Sequence, residues 1–155
     1  MKTLLSVLAL TTAIAAPVAV AAKPVTFTAQ MKNYRGPGAY IVLYVTDKSG
    51  AYKGTLWMAG GKSKYYKHLP GWHRATRGDL GQVRGITGAS VGAGRTMKIT
   101  LDLSDALFDA GYKLHVDSSV EDGRDMANDV VIPLTSANAG KPARGKRYVS
   151  SFTFK

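Results

Sequence analysis

From residue 22 onward, hydrophobic and polar positions mostly follow a period of two. Over Val25–Lys32, Val25, Phe27, Ala29 and Met31 fall on one face and Thr26, Thr28, Gln30 and Lys32 on the other. That alternation predicts a strand with one buried face. Arg35-Gly36-Pro37-Gly38 reads as a turn from its Gly and Pro content. Ala39–Thr46 is apolar at successive positions and rich in β-branched and aromatic residues, which predicts a central strand covered on both faces. After the turn Asp47–Gly50, Tyr52–Met58 predicts the return strand of a hairpin. Thr96–Leu103 alternates again, with Met97, Ile99, Leu101 and Leu103 inward. Tyr112–Ser118 and Asp129–Leu134 read as two strands around an acidic loop, and Tyr148–Phe154 as the last strand.

Between these strands the pattern is less regular. Ser63 is a candidate cap for a short helical turn through Leu69, ended by Pro70-Gly71. Gly78–Gly94 reads as a glycine-rich loop, and Ser104 as the cap of one turn that Gly111 stops. About seven strands and no long amphipathic helix predict an all-β protein, an antiparallel β-sandwich with an immunoglobulin-like arrangement.

The N-terminus changes the picture. Lys2 is followed by an apolar run from Leu4 to Ala16, broken by Pro17, and then by the small-residue sequence Ala19-Val20-Ala21. Charged start, short apolar middle and small-residue end predict a secretory signal peptide over residues 1–21. The run is shorter than the ~20 residues that span a bilayer. Residues 22–155 then form a single domain exported to the periplasm. The chain has no Cys, so disulfides, thiolate metal sites and cysteine catalysis are excluded even where the compartment permits disulfides.

The net charge of +11 is uneven. Gly60–Lys98 carries eight basic residues against Asp79 alone, whereas Leu101–Val130 carries eight acids against Lys113 and Arg124. A basic stretch attracts polyanions, anionic lipid heads or phosphorylated ligands. Nucleic acid suits neither the compartment nor the motifs present. Gly60–Lys98, flanked by Trp57 and with Tyr65, Tyr66 and Trp72 within it, is expected to form much of the partner-facing surface, and reversing Lys62, Lys64 and Lys67 is the test of that expectation. The four aromatics are either core and rim packing or a platform for a flat ring.

Candidate chemistry is sparse. The Gly-x-Ser-x-Gly elbow of hydrolases does not occur. His68 and His73, His115 and Asp117, and the acids Glu121, Asp122 and Asp125 invite a metal reading, but their spacing does not match an EF-hand loop. The alternative is a solvated acidic hairpin tip. With no redox residue of its own, an electron-transfer role requires a borrowed cofactor.

Arg84-Gly85-Ile86-Thr87-Gly88-Ala89-Ser90 is the most specific segment. Small residues at Gly88 and Ala89 allow close approach to the backbone, and successive N–H groups of such a loop can hold phosphate oxygens. Thr87-Gly88-Ala89-Ser90 resembles the motif of extracytoplasmic proteins that carry covalent FMN, in which a flavin transferase joins the FMN phosphate to the final hydroxyl. The resemblance implies attachment at Ser90. The sequence departs from it at Arg84, where the motif has Asp, and Arg84 is instead a candidate phosphate partner, with Arg95 and Lys98.

A second resemblance covers nearly the whole exported region. The strand Ala39–Thr46, the segment Tyr52-Lys53-Gly54-Thr55-Leu56-Trp57, Tyr66, Leu69 to Trp72, Thr87–Ser90, Gly94-Arg95-Thr96 and the strand-rich C-terminal half carry it. The chain resembles a bacterial family of predicted periplasmic proteins of unknown function, whose genes lie beside PepSY-type membrane reductases and flavin transferases. The resemblance implies an accessory to flavin-linked electron transfer or iron reduction, with a PepSY-type reductase and a flavin transferase as partners; the exported domain is separately expected to be a monomer and, with no redox residue of its own, not an enzyme by itself. The other open class is a non-redox binding module for an anionic ligand or a membrane protein partner.

Overall fold

The computed structural model describes residues 21–155, so the signal-peptide reading lies outside the described residues, apart from Ala21. The described residues form eight strands and one short α-helix: β1 Ala22–Met31, β2 Tyr40–Thr46, β3 Tyr52–Ala59, α1 Pro70–Thr76, β4 Thr87–Gly88, β5 Thr96–Ser104, β6 Lys113–Ser119, β7 Met126–Pro133 and β8 Val149–Phe154. They build a β-sandwich of two sheets, β5-β1-β8 and β4-β3-β2-β6-β7. All pairings are antiparallel except β3 with β4.

Period-two alternation accounts for the layer between the sheets. Val25, Phe27, Ala29 and Met31 of β1 meet Ile41, Leu43 and Val45 of β2, Leu114 and Val116 of β6 and Phe152 and Phe154 of β8 in one buried core. The Phe27 and Phe152 rings lie 6.3 Å apart. Met97 and Leu103 of β5 are buried in the same layer, with Ile99 and Leu101 half-buried. The outer face of the smaller sheet is polar, and Thr26 and Thr100 share a hydrogen bond across it at 2.8 Å.

The second apolar face of β2 has a separate cause. Residues 60–86 leave the sandwich and fold back over the outer face of the larger sheet. Val42, Tyr44 and Met58 from the sheet close a second core with Tyr66, Leu69, Trp72 and Val83 of this excursion. Burying Leu69 and Met58 completely contributes about 1.5–3 kcal/mol each relative to exposure. Trp72 is fully buried and donates its indole N–H to Thr55 Oγ1 at 2.8 Å.

Three local expectations are corrected. Ser63–His68 is a 3-10 segment without a side-chain cap, and Pro70 opens α1 at its N-terminus instead of ending a helix. Proline suits that position because its missing N–H has no intrahelical partner there. Gly78–Gly94 is not simply a loop. Asp79 caps a 3-10 turn over Leu80–Val83, and Thr87-Gly88 adds an eighth strand beside β3. The Ser104 cap holds, with its Oγ accepting from the Ala106 N–H at 3.2 Å.

Candidate functional site

A cleft of about 520 Å³ opens at one end of the larger sheet, where the β1–β2 turn, the start of the excursion, the segment after β4 and the β6–β7 hairpin converge. Its size lies in the usual range for small-molecule sites. Tyr40 and Tyr65 form an aromatic wall, with ring centres 5.5 Å apart and planes at 79°. Tyr40 is placed by its register on β2, and its hydroxyl accepts from the Lys62 N–H at 3.1 Å. Tyr65 comes from the 3-10 segment, with Lys64 Nζ 4.9 Å from its ring centre.

Ser90 lines this cleft and is exposed. Its backbone is held on both sides. Upstream, Gly60 N–H donates to the Gly88 carbonyl at 2.8 Å and Met58 N–H to the Ile86 carbonyl at 2.9 Å. Downstream, Val91 and Ala39 exchange both backbone hydrogen bonds, at 2.7 and 2.9 Å, and the Tyr34 hydroxyl donates to the Val91 carbonyl. The serine therefore sits on an extended, anchored segment.

Two glycines make that path possible. A Cβ on Gly88 would lie 2.6 Å from Trp57 Cζ2, so the parallel pairing of β4 with β3 requires glycine there. A Cβ on Gly38 would collide with the Ser90 hydroxyl. Of the other motif residues, Thr87 and Ala89 are exposed and Gly88 is half-buried against Trp57.

Arg84 is exposed and does not line the cleft; its charge instead helps hold the Asp79 carboxyl below the usual range, after hydrogen bonds from Gln82 and the Gly81 N–H. Lys98 lies on β5 of the other sheet. The basic side chains that the fold brings to the cleft are Lys62 and His68. The four aromatics singled out in the sequence divide: Trp72 and Tyr66 are core, Trp57 packs on Gly88, and Tyr65 faces the cleft.

The acidic hairpin supplies the opposite wall. Asp125 pairs with His68 (Oδ2 to Nδ1, 3.0 Å) and accepts from Ser119 Oγ at 2.8 Å. Glu121 and Asp122 also line the cleft. Among the described residues no three His, Asp or Glu side chains are grouped to hold a metal ion. His115 and Asp117 share the outer face of β6 but do different work. Thr46 Oγ1 and Asn128 Oδ1 each lie 2.8 Å from a ring nitrogen of His115, and the ring stacks on Tyr44 at 5.0 Å and 13°.

Asp117 is wholly buried and accepts from the N–H groups of Trp72 (2.7 Å) and Asn128 (2.9 Å). Burial pushes its pKa up, against the lowering effect of the N–H groups of Asn128, Trp72 and Gly71. Burial, then the adjacent Asp117, likewise raises the Tyr44 hydroxyl. A second buried carboxylate, Asp129, accepts from Ser118 Oγ and from the N–H groups of Arg147, Tyr148 and Val149 at 2.6–3.1 Å. Both carboxylates lock chain segments onto the larger sheet.

Sequence reasoning missed Tyr40, Gly38 and Lys62 as neighbours of Ser90, and Asp117 and Asp129 as buried acceptors. The signal available for Tyr40 was the two-faced apolar character of β2, which required a covering layer. Comparison with curated proteins and with solved structures gave no match. A family model does match, over residues 22–151, and its description is that of a periplasmic protein. The chain belongs to the DUF2271 family of predicted periplasmic proteins.

Proposed function

We propose that the protein is a periplasmic flavin carrier, an accessory to extracytoplasmic electron transfer, with FMN esterified to Ser90. One observation carries the reading: the exposed hydroxyl of a motif serine lies in a cleft with an aromatic wall large enough for a small-molecule ring system. Modification requires a separate flavin transferase. Ser90 Oγ forms the new P–O bond to the FMN phosphorus of a flavin dinucleotide. The pyrophosphate P–O bond breaks, the nucleoside monophosphate leaves, and the hydroxyl proton passes to solvent.

Lys62 is the cleft residue suited to the ester phosphate, and Tyr40 and Tyr65 to the ring. Both Asp125 oxygens are already engaged, Oδ2 by His68 Nδ1 at 3.0 Å and Oδ1 by Ser119 Oγ at 2.8 Å. A bound flavin supplies one- and two-electron transfer, for which this chain has no group of its own. The family resemblance adds a PepSY-type membrane reductase as electron partner.

The test is co-expression of the precursor with a flavin transferase, followed by in-gel fluorescence after denaturation and by intact mass. The wild type is expected to fluoresce and Ser90→Ala to be dark. A wild type without flavin overturns attachment, and a fluorescent Ser90→Ala overturns the residue, with Thr87 next to be tested.

A second reading has its own observation. Lys62, Lys64 and Lys67 form no salt bridge among the described residues, which suits a non-redox module that docks an anionic ligand or membrane protein partner. Exposed charges are screened beyond about 8 Å at physiological salt, so partner binding should weaken as salt rises and fail when the three lysines are reversed. A flavin-free protein that still binds a partner with that salt dependence supports this second reading.

A further inference from the structure

β5 is an edge strand of nine residues whose only strand partner among the described residues is β1. The hydrogen-bond phase of that pair is set by β1. Thr26 exchanges both backbone bonds with Lys155 beyond β8, at 2.7 and 3.0 Å, so its N–H and C=O point away from β5. Thr26 is opposite Thr100, and that pair is therefore a non-hydrogen-bonded one. By alternation Met97, Ile99, Leu101 and Leu103 bond to β1. Thr96, Lys98, Thr100 and Asp102 then direct their N–H and C=O groups to the open edge.

The side chains of the same strand read as their own complement. Antiparallel pairing of β5 with a second β5 about a two-fold axis at Thr100 sets Lys98 opposite Asp102, Ile99 opposite Leu101 and Met97 opposite Leu103, each twice. Every outward-facing backbone group from Thr96 to Ser104 then falls in a hydrogen-bonded pair. On the solvent face opposite charges meet. On the inner face Ile99 and Leu101, half-buried at the edge, cover one another. A two-fold contact requires this self-complementarity of one patch. An open edge of this length is ordinarily guarded by a bulge, a proline, an inward-facing charge or an edge lysine; the one lysine of β5, Lys98, is met by Asp102 of the second copy in this register. β5 has no proline, its register with β1 has no bulge, and Lys98 and Asp102 are exposed.

We propose that β5 is a homodimer interface. Two copies join their three-stranded sheets edge to edge into one six-stranded sheet, ordered β8-β1-β5 and then β5-β1-β8 of the second copy. A dimer departs from the monomer expected from the sequence. It leaves the cleft around Ser90 free in both copies, because no β5 residue lines that cleft.

The test is sedimentation equilibrium and amide exchange on protein purified from the periplasm, over a dilution series from hundreds of micromolar downward. The wild type is expected to self-associate. Amides of Thr96, Lys98, Thr100 and Asp102 become protected with concentration, while those of Met97, Ile99 and Leu101 are protected throughout by β1. Thr100→Pro removes an N–H that β1 does not use, a position where edge strands tolerate proline, and should abolish association.

Lys98→Asp sets like charges opposite each other twice and should weaken association about tenfold. Lys98→Asp combined with Asp102→Lys should restore it, which a misfolded variant would not do. A wild type monomeric at the highest concentration overturns the interface. So does a dimer unchanged by Thr100→Pro, or association whose concentration-dependent protection falls on other amides.

Discussion

Replacing Asp117 by alanine tests whether one buried carboxylate fastens the 60–86 excursion to the sandwich. In the native state its two oxygens accept from Trp72 N–H at 2.7 Å and Asn128 N–H at 2.9 Å, in a site closed to solvent. Truncation leaves both donors without an acceptor. A buried unsatisfied group costs about 1–3 kcal/mol, which sets a gross loss of about 2–6 kcal/mol. Part of this is returned, because the raised pKa of Asp117 shows that burial already penalises its charge. The expected net loss is about 2–4 kcal/mol, a large fraction of the ~5–15 kcal/mol of a typical domain.

Asp117→Asn should not rescue, because its amide nitrogen would present a donor to backbone donors. The assay is urea unfolding followed by tryptophan emission and far-ultraviolet circular dichroism. Trp72, whose own N–H is held by Asp117, should lose its buried environment at lower urea than the strands unfold. Asp117→Ala that unfolds within about 0.5 kcal/mol of wild type, with Trp72 emission unchanged, would refute the reasoning. The pH dependence has a definite sign. With the folded pKa above the unfolded value, the native state holds this proton more tightly, so the Asp117 contribution declines as pH rises from the ordinary carboxylate range through the raised value.

Asp129→Ala removes the acceptor of the Arg147, Tyr148 and Val149 N–H groups; a loss of about 2–4 kcal/mol and early proteolysis near residues 144–149 are expected, and unchanged protease resistance would contradict this. Gly88→Ala places a Cβ 2.6 Å from the Trp57 ring. It should cost about 1–3 kcal/mol and shift the Trp57 ring resonances, whereas an unmoved ring would show that β4 itself gives way. The Asp47 carboxyl, held first by the Ser49 hydroxyl, should titrate at about 2 by carbon-detected NMR. Its folded value lies below the unfolded one, so the stability it adds is present above the ordinary carboxylate range and lost as pH falls through about 2. Titration in the ordinary carboxylate range would remove that turn from the account.

Period-two patterning by itself determined the all-β class, the position of seven strands to within a few residues and the inward set of β1 and β5. These follow from local geometry, since side chains on a strand alternate faces whatever lies beyond it. It also marked β2 as covered on both faces, but not by what. Only the tertiary structure brought residues 60–86 over Val42, Tyr44 and Met58, because that contact depends on where a long excursion returns.

The same limit separates Ser90 from its surroundings. Its motif was legible as four consecutive residues, whereas Tyr40, Lys62, His68 and Asp125 come from three other segments and meet it only in the folded chain. Arg84, six positions from Ser90 in sequence, does not line the cleft: it lies in the turn before Thr87-Gly88, the two residues that pair with β3. Asp117 and Asp129 look in sequence like two more acids of an acidic stretch. Burial among backbone N–H groups makes them structural locks, and burial is a property of the assembled layers that no run of neighbouring residues contains.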